Sequence, residues 1–402
     1  MRQADVSRFE RIQVWKGKVL SLVYLDNAAT TQHKPQAVID AVMAAMCSFG
    51  GPGRGSHQAA LDASLAVFGA RQAVSNLLGG WGAASVSFAM NATMALNIAI
   101  DGLLSEGGCA VTTAASHNSV LRPLFRARDE RGCTVRIARI APEGALDWDD
   151  YQRSLEGASL AAATHASNVT GDVYDVARMA HMAHEAGALF VLDAAQTAGA
   201  WPLNVVETGA DVVCFTGHKS LYGPQGTGGL IVRPGLEIEP LLEGGSGIHS
   251  FDERHPRFMP EALEAGTANA HGLAGLAAGC NWLADQGIAS VSERIAAMAN
   301  RFANEISVVG GVRLLGGGSG QRCGIVALNI GEVDSGVVSD ALSQHYGICT
   351  RPGAHCAPLM HKALSTEAQG VVRLSFGAMN DDADVDAAIA AIKELASEFS
   401  GE

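Results

Sequence analysis

Lysine is scarce in this chain. Six occur in 402 residues: Lys16, Lys18, Lys34, Lys219, Lys362 and Lys393. Charge as a whole is thin, with 17% charged residues and a net charge of −13. That balance argues against binding nucleic acid or an anionic membrane surface. It leaves room for a small anionic ligand held by local donors. No run reaches the ~18 consecutive apolar residues of a membrane span. Residues 1–22 carry Arg2, Arg8, Arg11, Lys16 and Lys18 without an apolar core, so they do not read as a secretory signal. A short helix or a frayed tail is expected there. None of the eight cysteines forms a C-x-x-C pair, so no metal site is expected. Most lie in apolar surroundings and read as inert core thiols. A reducing cytoplasm is the expected setting.

What the chain does have is apolar bulk, 48% of residues, and 47 glycines. This is a packed globular composition, long enough for a large domain and a smaller one. Strand and helix signals alternate through the middle, the pattern of a mainly parallel sheet covered on both faces. Strands are expected at 85–88, 110–112, 160–164 and 229–232, and two more ending near Asp193 and Phe215. Helices are expected at 93–99 and from Val176 to Ala186, closed by Gly187. A boundary is placed after Gly272, followed by helix over 273–308. Strands at 312–315 and 324–328 and a closing amphipathic helix from Val385 to Phe399 suggest a smaller α+β unit. Gly316 to Gly320 reads as a flexible turn, since it lacks the Lys-Ser/Thr ending of a phosphate loop.

Lys219 is the lysine that stands apart. It follows the apolar run Asp211-Val212-Val213-Cys214-Phe215 and precedes a glycine-bearing turn, with no other lysine between Lys34 and Lys362. Desolvation there disfavours the ammonium form and leaves the nucleophile that a Schiff-base lysine requires. A strand-end lysine reaching to solvent is the plainer alternative. Upstream, Leu189-Phe190-Val191-Leu192 ends in Asp193. A carboxylate at a strand's C-terminal end points into the crevice where open α/β sheets bind ligands. A pyridoxal 5'-phosphate enzyme needs both groups, the carboxylate to keep the pyridine nitrogen protonated. Asp193 as the N-cap of a following helix is the alternative.

Asp193-Ala194-Ala195-Gln196 followed by Thr216-Gly217-His218-Lys219 resembles the cysteine desulfurases, within the class V aminotransferase group of fold-type I pyridoxal phosphate enzymes. Tyr24-Leu25-Asp26-Asn27-Ala28-Ala29-Thr30-Thr31 is similar to that family's N-terminal motif. Arg351-Pro352-Gly353-Ala354-His355-Cys356 is similar to its catalytic-cysteine loop, in the short SUF-type form. The resemblance spans about Tyr24 to Asn380. It implies an α/β fold with a mainly parallel seven-stranded sheet in a large domain and a smaller α+β C-terminal domain. The divisions are an extension over 1–23, a cofactor-binding domain over 24–272 with its first segment packed on the small domain, and a cysteine-bearing domain over 273–402.

The same resemblance implies roles. Lys219 carries the cofactor and Asp193 holds its ring nitrogen. Thr93, Thr216 and His218 contact the phosphate, with Thr267 reaching across from the partner of a homodimer. For Thr93 a plain N-cap is the alternative. His117 stacks on the ring, although Ser116 stands where many relatives have an acidic residue. Asn168 and Gln196 lie near the phenolic oxygen and the substrate. Arg373, on an apolar strand-like run, forks onto the substrate carboxylate unless it forms an internal ion pair. Arg351 is a second candidate, or a brace for the cysteine loop. Cys356 takes the sulfur as a persulfide, with His355 and Arg351 near enough to favour its thiolate. The expected activity converts L-cysteine to L-alanine and passes sulfur to an acceptor protein. Rival readings are a selenocysteine lyase acting on L-selenocysteine, a class V aminotransferase or other C–S lyase, and a weakly catalytic cofactor-binding partner.

Overall fold

The described residues of the basic N-terminal stretch form strand, not helix. In the computed structural model, which describes residues 12–15, 18–53 and 55–400, β1 (Ile12–Trp15) and β2 (Lys18–Ser21) pair antiparallel. Residues 1–11 lie outside the described ones. The next strand, β3 (Val23–Tyr24), leaves this hairpin to pair elsewhere.

The central sheet is built from β4 (Val86–Ala89), β5 (Cys109–Thr113), β6 (Thr134–Ala138), β7 (Leu160–Thr164), β8 (Leu189–Asp193), β9 (Val212–Thr216) and β10 (Gly228–Val232). Their order is β4-β10-β9-β8-β7-β5-β6, and only β10 runs antiparallel to its neighbours. Every residue of β7, β9 and β10 is buried. Such unbroken apolar runs, rather than alternating ones, belong to strands covered on both faces. The seven-stranded, mainly parallel sheet expected from the sequence is therefore present.

Helices α1 (Gln36–Ser48), α2 (Gln58–Leu78), α3 (Ala92–Leu103) and α4 (Asn118–Arg131) come before β6. Asn91 caps α3, its side chain accepting from Met94 N at 3.0 Å. Gly272 lies in the first turn of the helix Ala270–Gln286, which packs on α1 and α2. The helical stretch expected over 273–308 is two helices, broken at Gly287, whose φ of +75° suits glycine.

Beyond it, β11 (Val312–Leu315), β12 (Ile325–Ile330) and β14 (Val372–Ser375) form an antiparallel sheet, while β13 (Ile348–Cys349) pairs parallel with β3. The chain's beginning is thereby stitched to its C-terminal part. The turn Gly316 to Gly320 is pinned, contrary to expectation. Buried Asp172 accepts from Gly317 N at 2.8 Å and Ser319 Oγ at 3.0 Å. Among the described residues no helix is long and apolar enough to cross a membrane.

Candidate active site

The carboxyl ends of β4, β7, β8 and β9 open onto a cavity of about 170 Å³. This is where open parallel sheets bind ligands. Its walls bring together Thr93, His117, Asn168, Asp193, Gln196, Thr216, His218 and Lys219, all expected from the sequence. Arg373, Arg351, Thr267 and Cys356 are not among its lining residues.

Lys219 lies just past β9. Burial lowers its pKa to about 8, against the attraction of Asp193, which raises it. Asp193 closes β8 and is 4% exposed. Burial raises its pKa, while the Ala195 N–H and Lys219 pull it down. No helix follows Asp193; its Oδ1 caps a turn by accepting from Ala195 N at 3.0 Å. His117 Nδ1 accepts from Ser119 N at 3.0 Å, which places the ring proton of the neutral form on Nε2. Burial first, and then Lys219, depress its pKa to about 4. Burial likewise takes His218 to about 4. Both imidazoles are neutral at physiological pH.

These residues fit pyridoxal phosphate. Thr216 Oγ1, His218 Nδ1 and Asn168 Oδ1 are buried polar atoms without a protein partner, and all three residues face the cavity. Such atoms are costly unless a ligand or water satisfies them. Thr93 is not the N-cap of α3; its hydroxyl shares a 2.8 Å hydrogen bond with Ser119 Oγ. The phosphate end would be held by Thr93, Thr216 and His218 at the start of α3. Lys219 would supply the amine and Asp193 the carboxylate.

Cys356 is exposed and lines a second cavity, about 500 Å³, whose wall includes Thr93, His117 and Ser119 of the first. The loop that presents it is strained: His355 and Cys356 have φ of +50° and +56°, a region non-glycine residues avoid. Hydrogen bonds hold it, among them Gly353 N to Val371 O at 3.1 Å. Asn168 Nδ2 donates to His355 O at 2.7 Å, Asn118 N to Cys356 O at 2.8 Å, and His355 Nε2 to Arg351 O at 3.0 Å. Burial, then Arg373, drop the His355 pKa to about 3, so His355 lends Cys356 no positive charge.

Arg373 is 2% exposed and forms the internal ion pair that was its alternative reading. Nη2 donates to Asp26 Oδ1 and Nη1 to Asn168 O, both at 2.9 Å, leaving Nε without a partner. Arg351 pairs with Arg373 through the backbone and supplies the carbonyl that His355 grips, so it braces the loop. Thr267 sits beyond α2, beside Gly245 and Phe68. Its segment is anchored by Glu264, which accepts from both Arg71 terminal nitrogens and from Phe88 N. Sequence reasoning missed Ser119 on the cavity wall, and Asp26 and Lys34, which contact Arg373 and the His218 carbonyl. Only the isolation of Lys34 among so few lysines could have flagged it.

This sheet, with its lysine and carboxylate at strand ends, is that of a fold-type I pyridoxal phosphate enzyme. The aminotransferase class-V family model matches residues 23–388, and the chain belongs to that family, which depends on pyridoxal phosphate. Among its relatives, a probable cysteine desulfurase of Methanothermobacter thermautotrophicus is 32% identical over 93% of this chain and 94% of that protein. A probable cysteine desulfurase of Chlamydia trachomatis is 31% identical over 95% and 96%. The solved apo structure of the cysteine desulfurase from Thermococcus onnurineus superposes with a TM-score of 0.88 at 30% identity, covering 94% and 95% of the two chains.

Proposed function

We propose that this chain is a pyridoxal phosphate-dependent cysteine desulfurase that moves sulfur from L-cysteine onto Cys356 and releases L-alanine. The observation that carries this reading is the exposed Cys356 thiol on a cavity sharing Thr93, His117 and Ser119 with the lysine cavity. An aminotransferase has no use for a thiol held there by strained backbone.

When bound, pyridoxal phosphate supplies the electron sink that weakens the substrate C–S bond. Lys219 anchors it and, with its lowered pKa, gives up or takes a proton at Nζ near neutral pH. Asp193 is the carboxylate assigned to the ring nitrogen, and neutral His117 the flat surface for the ring. Asn168 and Gln196 orient without adding charge. Arg373, with Arg351 nearby, is assigned to the substrate carboxylate, which would replace Asp26 as the partner of its guanidinium. The Cys356 thiolate attacks the substrate sulfur, the C–S bond breaks with its electron pair going to the substrate carbon, which takes up a proton to become the methyl group of alanine, and the persulfide stays on the protein.

A homodimer belongs to the same proposal. Leu61, Leu65 and Phe68 are 50%, 57% and 58% exposed at helical spacing along α2, an apolar stripe that a second copy would cover. Thr267 lines a cavity together with Phe68 of that stripe and does not line its own chain's lysine cavity, as expected of a residue serving the partner's phosphate. The division near Gly272, transfer to an acceptor protein and a cytoplasmic setting, which suits a free thiol, complete the proposal. L-selenocysteine is the competing substrate. Incubation with L-cysteine should release alanine and leave sulfur on the protein. Release of pyruvate and free sulfide, with no protein-bound sulfur, would contradict it.

A further inference from the structure

The donors expected to hold the phosphate are rich in hydrogen-bonding capacity and poor in charge. Thr93 and Thr216 are hydroxyls, and His218 is neutral at physiological pH, as is His117 on the same cavity wall. The two formal charges on the cavity wall, Lys219 and Asp193, oppose each other. A phosphate ester carries about −1.5 to −2 charges at neutral pH, so a cation near this cup would add to the field of the α3 N-terminus.

Lys34 stands there. Its Nζ donates to His218 O at 3.2 Å and to Thr31 Oγ1 at 2.5 Å. The same carbonyl already accepts from Thr31 N, Thr30 Oγ1 and Thr31 Oγ1, each at 3.1 Å. Three uncharged donors thus hold the Lys219 turn without Lys34. What Lys34 alone adds is charge, and its field reaches the His218 ring, whose pKa it helps to lower. Among the described residues no carboxylate pairs with it, and burial alone lowers its own pKa to about 8. A partly buried ammonium without a counter-ion is costly unless a ligand provides one.

We infer that Lys34 is the positioning cation for a phosphate ester, acting from behind His218 on a ligand held by Thr93, Thr216 and His218. The inference rests on the cofactor reading above. It is tested by titrating the cofactor-free full-length chain with pyridoxal phosphate and with pyridoxal, which lacks the phosphate. Lys34→Met should weaken pyridoxal phosphate about tenfold or more and leave pyridoxal unchanged. Lys34→Arg should keep the wild-type preference between the two ligands. Equal weakening of both ligands would mean that Lys34 only holds the turn, and would overturn the inference. So would an unchanged preference in Lys34→Met, or in Lys34→Gln should Lys34→Met not fold. Failure of the wild type to bind pyridoxal phosphate would instead sink the cofactor reading itself.

Discussion

Lys219 hangs from a five-residue strand with no exposed position, whereas Cys356 rides on a loop where two consecutive side-chain-bearing residues hold positive φ. The first is fixed by the sheet: Asp193, Thr216 and Asn168 take their places because β8, β9 and β7 end where they do. The second is fixed by hydrogen bonds such as those with Asn168, Asn118 and the Arg351 carbonyl. Regular structure suits groups that hold one ligand in one pose. A strained loop suits a nucleophile that must meet substrate and then hand its cargo on.

Removing the amine should have the largest effect. Lys219→Ala is expected to lower turnover by about a thousandfold or more, and borohydride should no longer fix pyridoxal phosphate to the protein. Labelling of a different lysine in the wild type would break the assignment. Cys356→Ser tests the independence of the two regions. It should abolish persulfide formation while leaving the cofactor's absorption spectrum as in the wild type; a spectrum that collapses with the thiol would show one region where two are claimed.

Asn168 joins the regions, through Nδ2 to His355 O and through its carbonyl to Arg373 Nη1. Asn168→Ala leaves the buried His355 carbonyl unpaired, at a cost of about 1–3 kcal/mol. Hydrogen exchange should quicken in residues 353–357 and stay unchanged in β8 and β9. The smallest effect concerns pH. Because burial puts the Lys219 pKa near 8 instead of 10.5, its free-amine fraction rises as pH passes through about 8. The rate at which cofactor-free protein takes up pyridoxal phosphate should rise over the same interval. A midpoint near 10 would mean that Lys219 is solvated.

The lysine cavity was largely legible in the sequence, because each of its residues ends an apolar run or opens the turn after one. The supports were not. Nothing linear links Lys34 to His218 or Asp26 to Arg373; those contacts form where β3 pairs with β13 and the segment after it meets His218 and Arg373. His355 read as an aid to the thiolate because it is adjacent in sequence, but burial keeps it neutral. The turn 316–320 read as flexible because Asp172, which pins it, lies far away in the chain.

The measurement closest to the central claim is peptide mass spectrometry of the holoenzyme after a single turnover with L-cysteine. Sulfur should add to the peptide bearing Cys356, the exposed cysteine at the cavity rim, and be released by a reducing thiol. Sulfur on Cys109 or Cys349 instead, or alanine formed with no sulfur on any cysteine, would contradict the account.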